Sequence, residues 1–241
     1  MKIGILAAGT TPEELTAQYD TYAGMMMGLL DRSGSDFSYQ VYDVRDGDFP
    51  QSIDECDGWG ITGSKFSVYE DQPWMLELQG FIRALNDAEK PLIGICFGHQ
   101  IIAQALGGKV EKYSGGWGLG LQDYQIVQSP LTKTAHVAPA SFCLNAIHQD
   151  QVTVKPEQAE VFASSDFCRF AGLRYGNRIL TVQAHPEFSQ EFEQALLQSR
   201  KGSVLPEQLT DQALTTVSSD SPLPDSDLIG GWMAACLQGE L

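Results

Sequence analysis

Apolar and amphipathic segments alternate along the first half of the chain. Apolar or alternating runs predict strands at residues 2–8, 37–44, 58–62 and 91–96. Helical spacing of the apolar positions predicts helices at residues 12–30, 73–88 and 98–106. On the second of these, Leu76, Phe81, Ile82 and Leu85 are predicted to share one face. Alternating strands and helices indicate an α/β fold with a doubly wound, mostly parallel sheet.

The pattern changes in the second half of the chain. Short strands separated by turns are predicted at residues 122–128, 152–154, 160–164, 168–175 and 178–184, attached to the same sheet. Helices are predicted at 189–200, 206–217 and 228–237, with a polar loop at 218–227. We divide the chain into a main domain, 1–200, and a C-terminal helical extension, 201–241. An apolar helix face needs a cover, so the extension either packs on the domain or mediates a homodimer.

Composition narrows the functional classes. The 241 residues are 43% hydrophobic, which suffices for a large core. No apolar stretch reaches the ~18 residues of a membrane span, and the N-terminus runs into a strand without a secretory signal. A net charge of −16 disfavours nucleic acid and anionic membranes as partners.

The cysteines indicate the compartment. Five cysteines without a Cys-x-x-Cys pair argue against a disulfide framework and a zinc site, so we expect reduced thiols, no metal and a cytoplasmic location. The chain has no phosphate-binding Gly-x-x-x-x-Gly-Lys-Ser/Thr loop, and we expect no cofactor.

Candidate chemistry is concentrated at residues 94–100, Gly-Ile-Cys-Phe-Gly-His-Gln. Cys96 follows an apolar run, with glycines two residues before and after it, as in a sharp strand-to-helix turn that presents a nucleophile. The positive end of the following helix favours the thiolate. A lone buried cysteine is usually inert, but the flanking glycines favour a functional one.

A second motif, His185-Pro186-Glu187, follows another apolar run. His185 is the candidate base, and Glu187 would hold its ring in the productive tautomer. Taken alone, His185 fits a buried structural histidine equally well, and the two motifs together are much more specific. The N–H of Phe97 and the turn Gly63-Ser64 are predicted to stabilise the oxyanion.

The remaining polar candidates carry weaker signals. His99 is too close to Cys96 in sequence to reach over the thiol, so we predict that it packs in the core. The polar residues 148–150, His-Gln-Asp, predict by default a solvated turn before a strand. The other four cysteines lack any such context and are predicted to be structural.

These motifs, with Ile61-Thr62-Gly63-Ser64, resemble the triad-type class I glutamine amidotransferases over residues 1–190. The resemblance implies a flavodoxin-like fold and a glutamyl thioester on Cys96, with His185 protonating the leaving group. Features around 115–120 and 148–152 resemble stand-alone members similar to the glutaminase part of GMP synthetase and to plant γ-glutamyl peptidases. The resemblance implies substrate contacts from Gln100, Trp117, His148, Gln149 and Asp150.

Three positions depart from the family pattern. Lys65 stands where proline is common, Ala184 where glycine is common, and Gly118 where an aspartate is expected. Three functions remain open: a self-sufficient hydrolase of glutamine or γ-glutamyl compounds, a glutaminase subunit that delivers ammonia to a separate synthase, and a non-catalytic binding or regulatory module. We favour the first.

Overall fold

The structure is a computed structural model that describes residues 1–130 and 139–241. Its central sheet has nine strands in the order β2-β1-β3-β4-β11-β10-β9-β6-β7, and β5 and β8 form a separate antiparallel pair. The strands are β1 (Lys2–Leu6), β2 (Ser38–Tyr42), β3 (Gly58–Ile61), β4 (Leu92–Ile95), β5 (Lys109–Lys112), β6 (Gly118–Ile126), β7 (Ser141–His148), β8 (Asp150–Val154), β9 (Ala159–Ser164), β10 (Gly172–Tyr175) and β11 (Ile179–Val182). The α-helices are α1 (Tyr22–Asp31), α2 (Pro73–Asp87), α3 (Phe97–Ala105), α4 (Gln190–Arg200), α5 (Glu207–Thr216) and α6 (Ser226–Gln238).

The first five strands of the sheet order are parallel, and the remaining four are added antiparallel. Successive residues of each parallel strand face opposite sides, so Ile93 packs in the core beneath α1 and α6, whereas Leu92 packs beneath α2 and α3. Helices therefore cover both faces of the parallel half, which confirms the predicted α/β fold.

Two helical predictions are corrected. The helix predicted at 12–30 is a short 3₁₀ turn, Glu13–Leu15, followed by α1, whose first turn is capped by the Thr21 hydroxyl accepting from the Gly24 N–H. Leu76, predicted on the buried face of α2, is 52% exposed. The buried face of that helix instead contains Trp74, Met75, Leu78, Ile82 and Leu85.

The antiparallel half differs more from expectation. Strands β5 and β7 were not predicted, β6 begins at Gly118 rather than at residue 122, and β10 begins only at Gly172. Strand β7 pairs with β6 over eight residues. Its buried positions include Asn145 and His148. Polar residues at buried positions obscure the apolar alternation that identifies a strand.

The C-terminal segment packs against the main sheet. Helix α6 contacts α1, β4 and β11, and its apolar face, which includes Trp232 and Met233, is buried in the same core as Ile93. Helix α5 lies against β6. Within residues 1–130 and 139–241, no helix combines the length and apolarity that a membrane crossing requires.

Candidate active site

Cys96 occupies the turn between β4 and α3 with φ 52° and ψ −102°. A residue with a side chain is strained at such a positive φ, and this strain is common where a nucleophile must project from a strand-to-helix turn. The turn is held on both sides, because the Cys96 N–H donates to the Val182 carbonyl at 2.9 Å and the Gln100 N–H donates to the Cys96 carbonyl at 3.0 Å.

The two glycines that flank the turn are required by close backbone packing. A methyl group on Gly98 would lie 2.3 Å from the Ile61 carbonyl oxygen, and one on Gly94 would lie 2.7 Å from the Gly98 carbonyl carbon. These distances are far inside van der Waals contact. The Gly-x-Cys-x-Gly pattern thus lets the start of α3 lie directly against β3.

His185 and Glu187 lie in the segment after β11. His185 Nδ1 is 2.8 Å from Glu187 Oε1, and both side chains are almost fully buried. The His185 ring stacks on Phe188, with centroids 4.0 Å apart and planes 8° apart, and its backbone N–H donates to the Asn145 carbonyl at 2.8 Å. The ring is therefore fixed, and its Nε2 is the nitrogen left for the thiol.

Charge controls the protonation of His185. Burial alone lowers the pKa of this imidazole, but the electrostatic influence of Glu187 and Cys96, with the hydrogen bonds from both side chains, outweighs burial and holds the pKa well above its usual value. The arrangement consequently favours the imidazolium form of His185.

The predicted oxyanion residues surround Cys96. A methyl group on Gly63 would lie 3.0 Å from His185 Cε1 and 3.8 Å from Cys96 Cβ, so this turn borders both residues. Ser64 lines the same cavities as Cys96. The N–H of Phe97 is the first of helix α3 and has no intrahelical acceptor.

A polar cavity of about 190 Å³ opens beside Cys96. All five predicted substrate-binding residues line it: Gln100, Trp117, His148, Gln149 and Asp150. The Asp150 carboxylate accepts from the Ser67 hydroxyl at 2.6 Å and from the Tyr69 hydroxyl at 2.9 Å. Lys65 and Lys112 add positive charge at the wall.

Gln100 and His148 in this wall differ from the sequence-based expectations of a substrate contact and a solvated turn, respectively. The Gln100 side-chain NH₂ donates to the Asp150 carbonyl at 2.8 Å and to Gln183 Oε1 at 3.0 Å, so this group shapes the wall. His148 is not in a solvated turn, because it is the last residue of β7 and is 4% exposed. Burial, and then the positive charge of His185, lowers the His148 pKa to about 4.

His99 lies in the core behind the turn. Its Nδ1 is 2.8 Å from the Thr181 hydroxyl, and the side chain is fully buried. Burial is the main cause that lowers its pKa to about 3, so the ring is neutral at physiological pH.

Glu193 on α4 was missed in the sequence. It is fully buried near His185 and Glu187. Its carboxylate faces the backbone of Gly120, but neither oxygen makes a well-aligned hydrogen bond among the described residues. Burial is the main cause that raises its pKa to about 8. Its helical spacing from the buried pair Leu196 and Leu197 is the sequence signal that places it on the inner face.

No group of three or more His, Cys, Asp or Glu side chains that could hold a metal ion occurs in the part of the chain that the structure describes.

Residues 33–200 match the family "Glutamine amidotransferase class-I". The chain belongs to that family, as its motifs predict. A solved glutamine amidotransferase from Thermotoga maritima has the same fold, with a TM-score of 0.73 at 18% identity over 98% of this chain and 96% of that one.

Two relatives have names that state an activity more narrowly than the family description does. Gamma-glutamyl peptidase 5 of Arabidopsis thaliana is 31% identical over 210 residues, which cover 85% of this chain and 83% of that protein. One subunit of the glutamine-hydrolyzing GMP synthase of Methanococcus maripaludis is 36% identical over 118 residues, which cover 48% of this chain and 60% of that subunit.

Proposed function

We propose that this protein hydrolyses the γ-glutamyl amide bond of glutamine or a γ-glutamyl compound, with Cys96 as the nucleophile. The observation that carries the proposal is the convergence at one cavity of a thiol on a strained turn and an imidazole paired with Glu187 at 2.8 Å. The similarity to a γ-glutamyl peptidase supports this substrate class.

The first half of the reaction forms a thioester. With the thiol proton of Cys96 held on His185 Nε2, the sulfur attacks the γ-carbonyl carbon. The carbonyl π-electrons move to oxygen, which accepts from the N–H groups of Phe97 and of the 63–64 turn. When the C=O bond re-forms, the C–N bond breaks and the amine leaves with a proton from His185 Nε2.

The second half releases glutamate. Neutral His185 takes a proton from water, whose oxygen attacks the thioester carbon, and the tetrahedral intermediate collapses by expelling the Cys96 thiolate. Glu187 keeps the imidazole ring in place through both halves, since its hydrogen bond occupies Nδ1 and leaves Nε2 to act.

The polar cavity holds the glutamyl group. Asp150 is the cavity's carboxylate and is suited to the α-ammonium, while Lys112 is suited to the α-carboxylate. Gln100, Trp117, His148 and Gln149 complete the walls.

A glutaminase subunit that supplies ammonia to a separate synthase is the second candidate, because the chain shares 36% identity over 118 residues with a subunit of a glutamine-hydrolyzing GMP synthase. A non-catalytic binding module is the third.

We further propose that the catalytic domain comprises residues 1–200, with 201–241 as its helical extension. We also propose that the protein works in the cytoplasm with its five cysteines free.

Glutamate release by the purified protein alone, from L-glutamine and from γ-glutamyl peptides, separates these candidates. We expect rapid release that Cys96→Ser abolishes. No release, with Cys96 still labelled by a glutamine-like electrophile, would favour the glutaminase subunit. Neither release nor labelling would favour the non-catalytic module. Size-exclusion chromatography with light scattering would decide whether a homodimer forms.

A further inference from the structure

A second cavity, of about 300 Å³, meets the first at Cys96 and Trp117 and extends past His185. We propose that this cavity binds the leaving group, and that the substrates are γ-glutamyl conjugates of an apolar amino acid or short peptide with a free carboxylate. This inference rests on the proposed hydrolysis and adds the class of amine that is released.

The position of the cavity fits a leaving group. The two cavities share five lining residues, whereas His185 lines the second and not the first. The shared residues are Ser64, Lys65, Cys96, Trp117 and Ile147. Because the imidazole must protonate the departing nitrogen, the atoms attached to that nitrogen extend into the cavity that His185 borders.

The size of the cavity argues against ammonia as the main leaving group. One water-sized molecule occupies about 30 Å³ in the liquid. A volume of about 300 Å³ is therefore suited to a group of several heavy atoms, the size of an amino acid side chain and its backbone.

The lining of the cavity is mostly apolar. Its apolar part includes Tyr22, Ile147, Phe188, Leu196, Val204 and Leu205. Each methylene that an occupant buries against such a surface raises affinity by about fourfold. An apolar side chain on the released amine would consequently be preferred over glycine.

The charge at the far side of the cavity is positive. Arg200 lines this cavity and, with Lys65 and Arg45, an adjoining groove of about 390 Å³. The chain as a whole has 15 basic and 31 acidic residues, so a groove lined by three cations and one carboxylate, Glu13, opposes the overall charge. Arg45 pairs with Asp43, and Arg200 makes a 3.8 Å contact to Glu14.

Lys65 makes no ion pair within the described residues. Its ammonium lies 5.5 Å from the Phe66 ring centroid. Lys65 and Arg200 are thus placed to receive a carboxylate carried by the leaving group.

The test uses four compounds: L-glutamine, γ-glutamylglycine, γ-glutamylphenylalanine and γ-glutamylphenylalaninamide. Binding is measured by calorimetry on Cys96→Ala, in which no turnover occurs, and kcat/KM is measured on the unaltered protein. We expect phenylalanine to be preferred over glycine by about tenfold or more. The acid should be preferred over the amide by about fivefold, the effect of one partly exposed ion pair.

Two variants test the lining. Arg200→Gln should bring the acid-to-amide ratio toward one, whereas Arg83→Gln, an exposed arginine on α2 away from both cavities, should preserve it. Val204→Glu should weaken γ-glutamylphenylalanine binding by about fivefold through charge repulsion. Val154→Glu is the matched control, because Val204 and Val154 are 57% and 54% exposed and neither substitution disturbs the core.

The outcomes separate the two proposals. Equal affinity for the glycine and phenylalanine compounds, or an acid-to-amide ratio unaffected by Arg200→Gln, would overturn the leaving-group site. The expected binding preferences without any release of glutamate by the unaltered protein would preserve the site and overturn the proposed hydrolysis.

Discussion

Replacing the buried Glu193 by glutamine should change the free energy of unfolding by an amount that depends on pH. The difference between the variant and the unaltered protein should favour the variant more at high pH than at low pH. Glu193 lies on the inner face of α4, fully buried, and burial is the main cause that raises its pKa from 4.5 to about 8. Glutamine has nearly the same shape and helix propensity but never ionises. The substitution therefore removes a titration while keeping the packing.

The direction follows from proton binding in the two states. Between pH 4.5 and about 8 the folded protein keeps the Glu193 proton that the unfolded chain has lost, so this group's contribution is full below pH 4.5 and is lost as pH rises through 8. Each pKa unit corresponds to about 1.4 kcal/mol, which makes the full effect about 5 kcal/mol. About 4 kcal/mol of it falls between pH 5 and pH 9.

The assay is urea unfolding followed by tryptophan fluorescence at pH 5 and pH 9. The free energy of unfolding of Glu193→Gln minus that of the unaltered protein should be about 4 kcal/mol larger at pH 9. Glu191→Gln, on the exposed side of the same helix, is the control, and its difference should be nearly the same at both pH values. A pH-independent difference for Glu193→Gln would refute the reasoning.

Three further predictions follow from the site. Glu187→Gln should lower kcat by about 10²- to 10⁴-fold, because the amide no longer holds the His185 tautomer or balances its charge, while a γ-glutamyl electrophile still labels the thiol. An unchanged kcat would remove Glu187 from the proposed mechanism. Gly98→Ala should destabilise the fold by about 3 kcal/mol, because the new methyl lies 2.3 Å from a backbone oxygen. Gly28→Ala, with open space around it, should be neutral or stabilising in the same unfolding assay, and equal effects would contradict the packing argument. The His99 ring should show no titration by NMR between pH 5 and pH 8, since burial lowers its pKa to about 3, and a midpoint near 6.5 would show that it is hydrated.

The parallel half of the fold could be predicted from the sequence because its strands are nearly all apolar and each is followed by an amphipathic segment. The motif around Cys96 could also be predicted from the sequence, because Gly94 and Gly98 stand where the backbone packs too closely for any side chain. Local pattern and tertiary packing agree at these positions.

The antiparallel half was harder because its buried positions are partly polar. Asn145 and His148 are both buried in β7, where the Asn145 side chain donates to the Phe188 carbonyl at 3.0 Å. Such residues break the apolar alternation on which strand prediction depends. The burial of Glu193 was not predicted either, because a carboxylate on a helix is ordinarily expected to be exposed to solvent.

The central claim is that Cys96 carries the glutamyl group during turnover. Acid quenching of the protein during turnover of a γ-glutamyl substrate, followed by peptide mass spectrometry, tests it most directly. We expect the mass of one glutamyl group on the peptide that contains Cys96, and no such adduct in Cys96→Ser. An adduct on the half-buried Cys143, or glutamate release that persists in Cys96→Ser, would contradict the account.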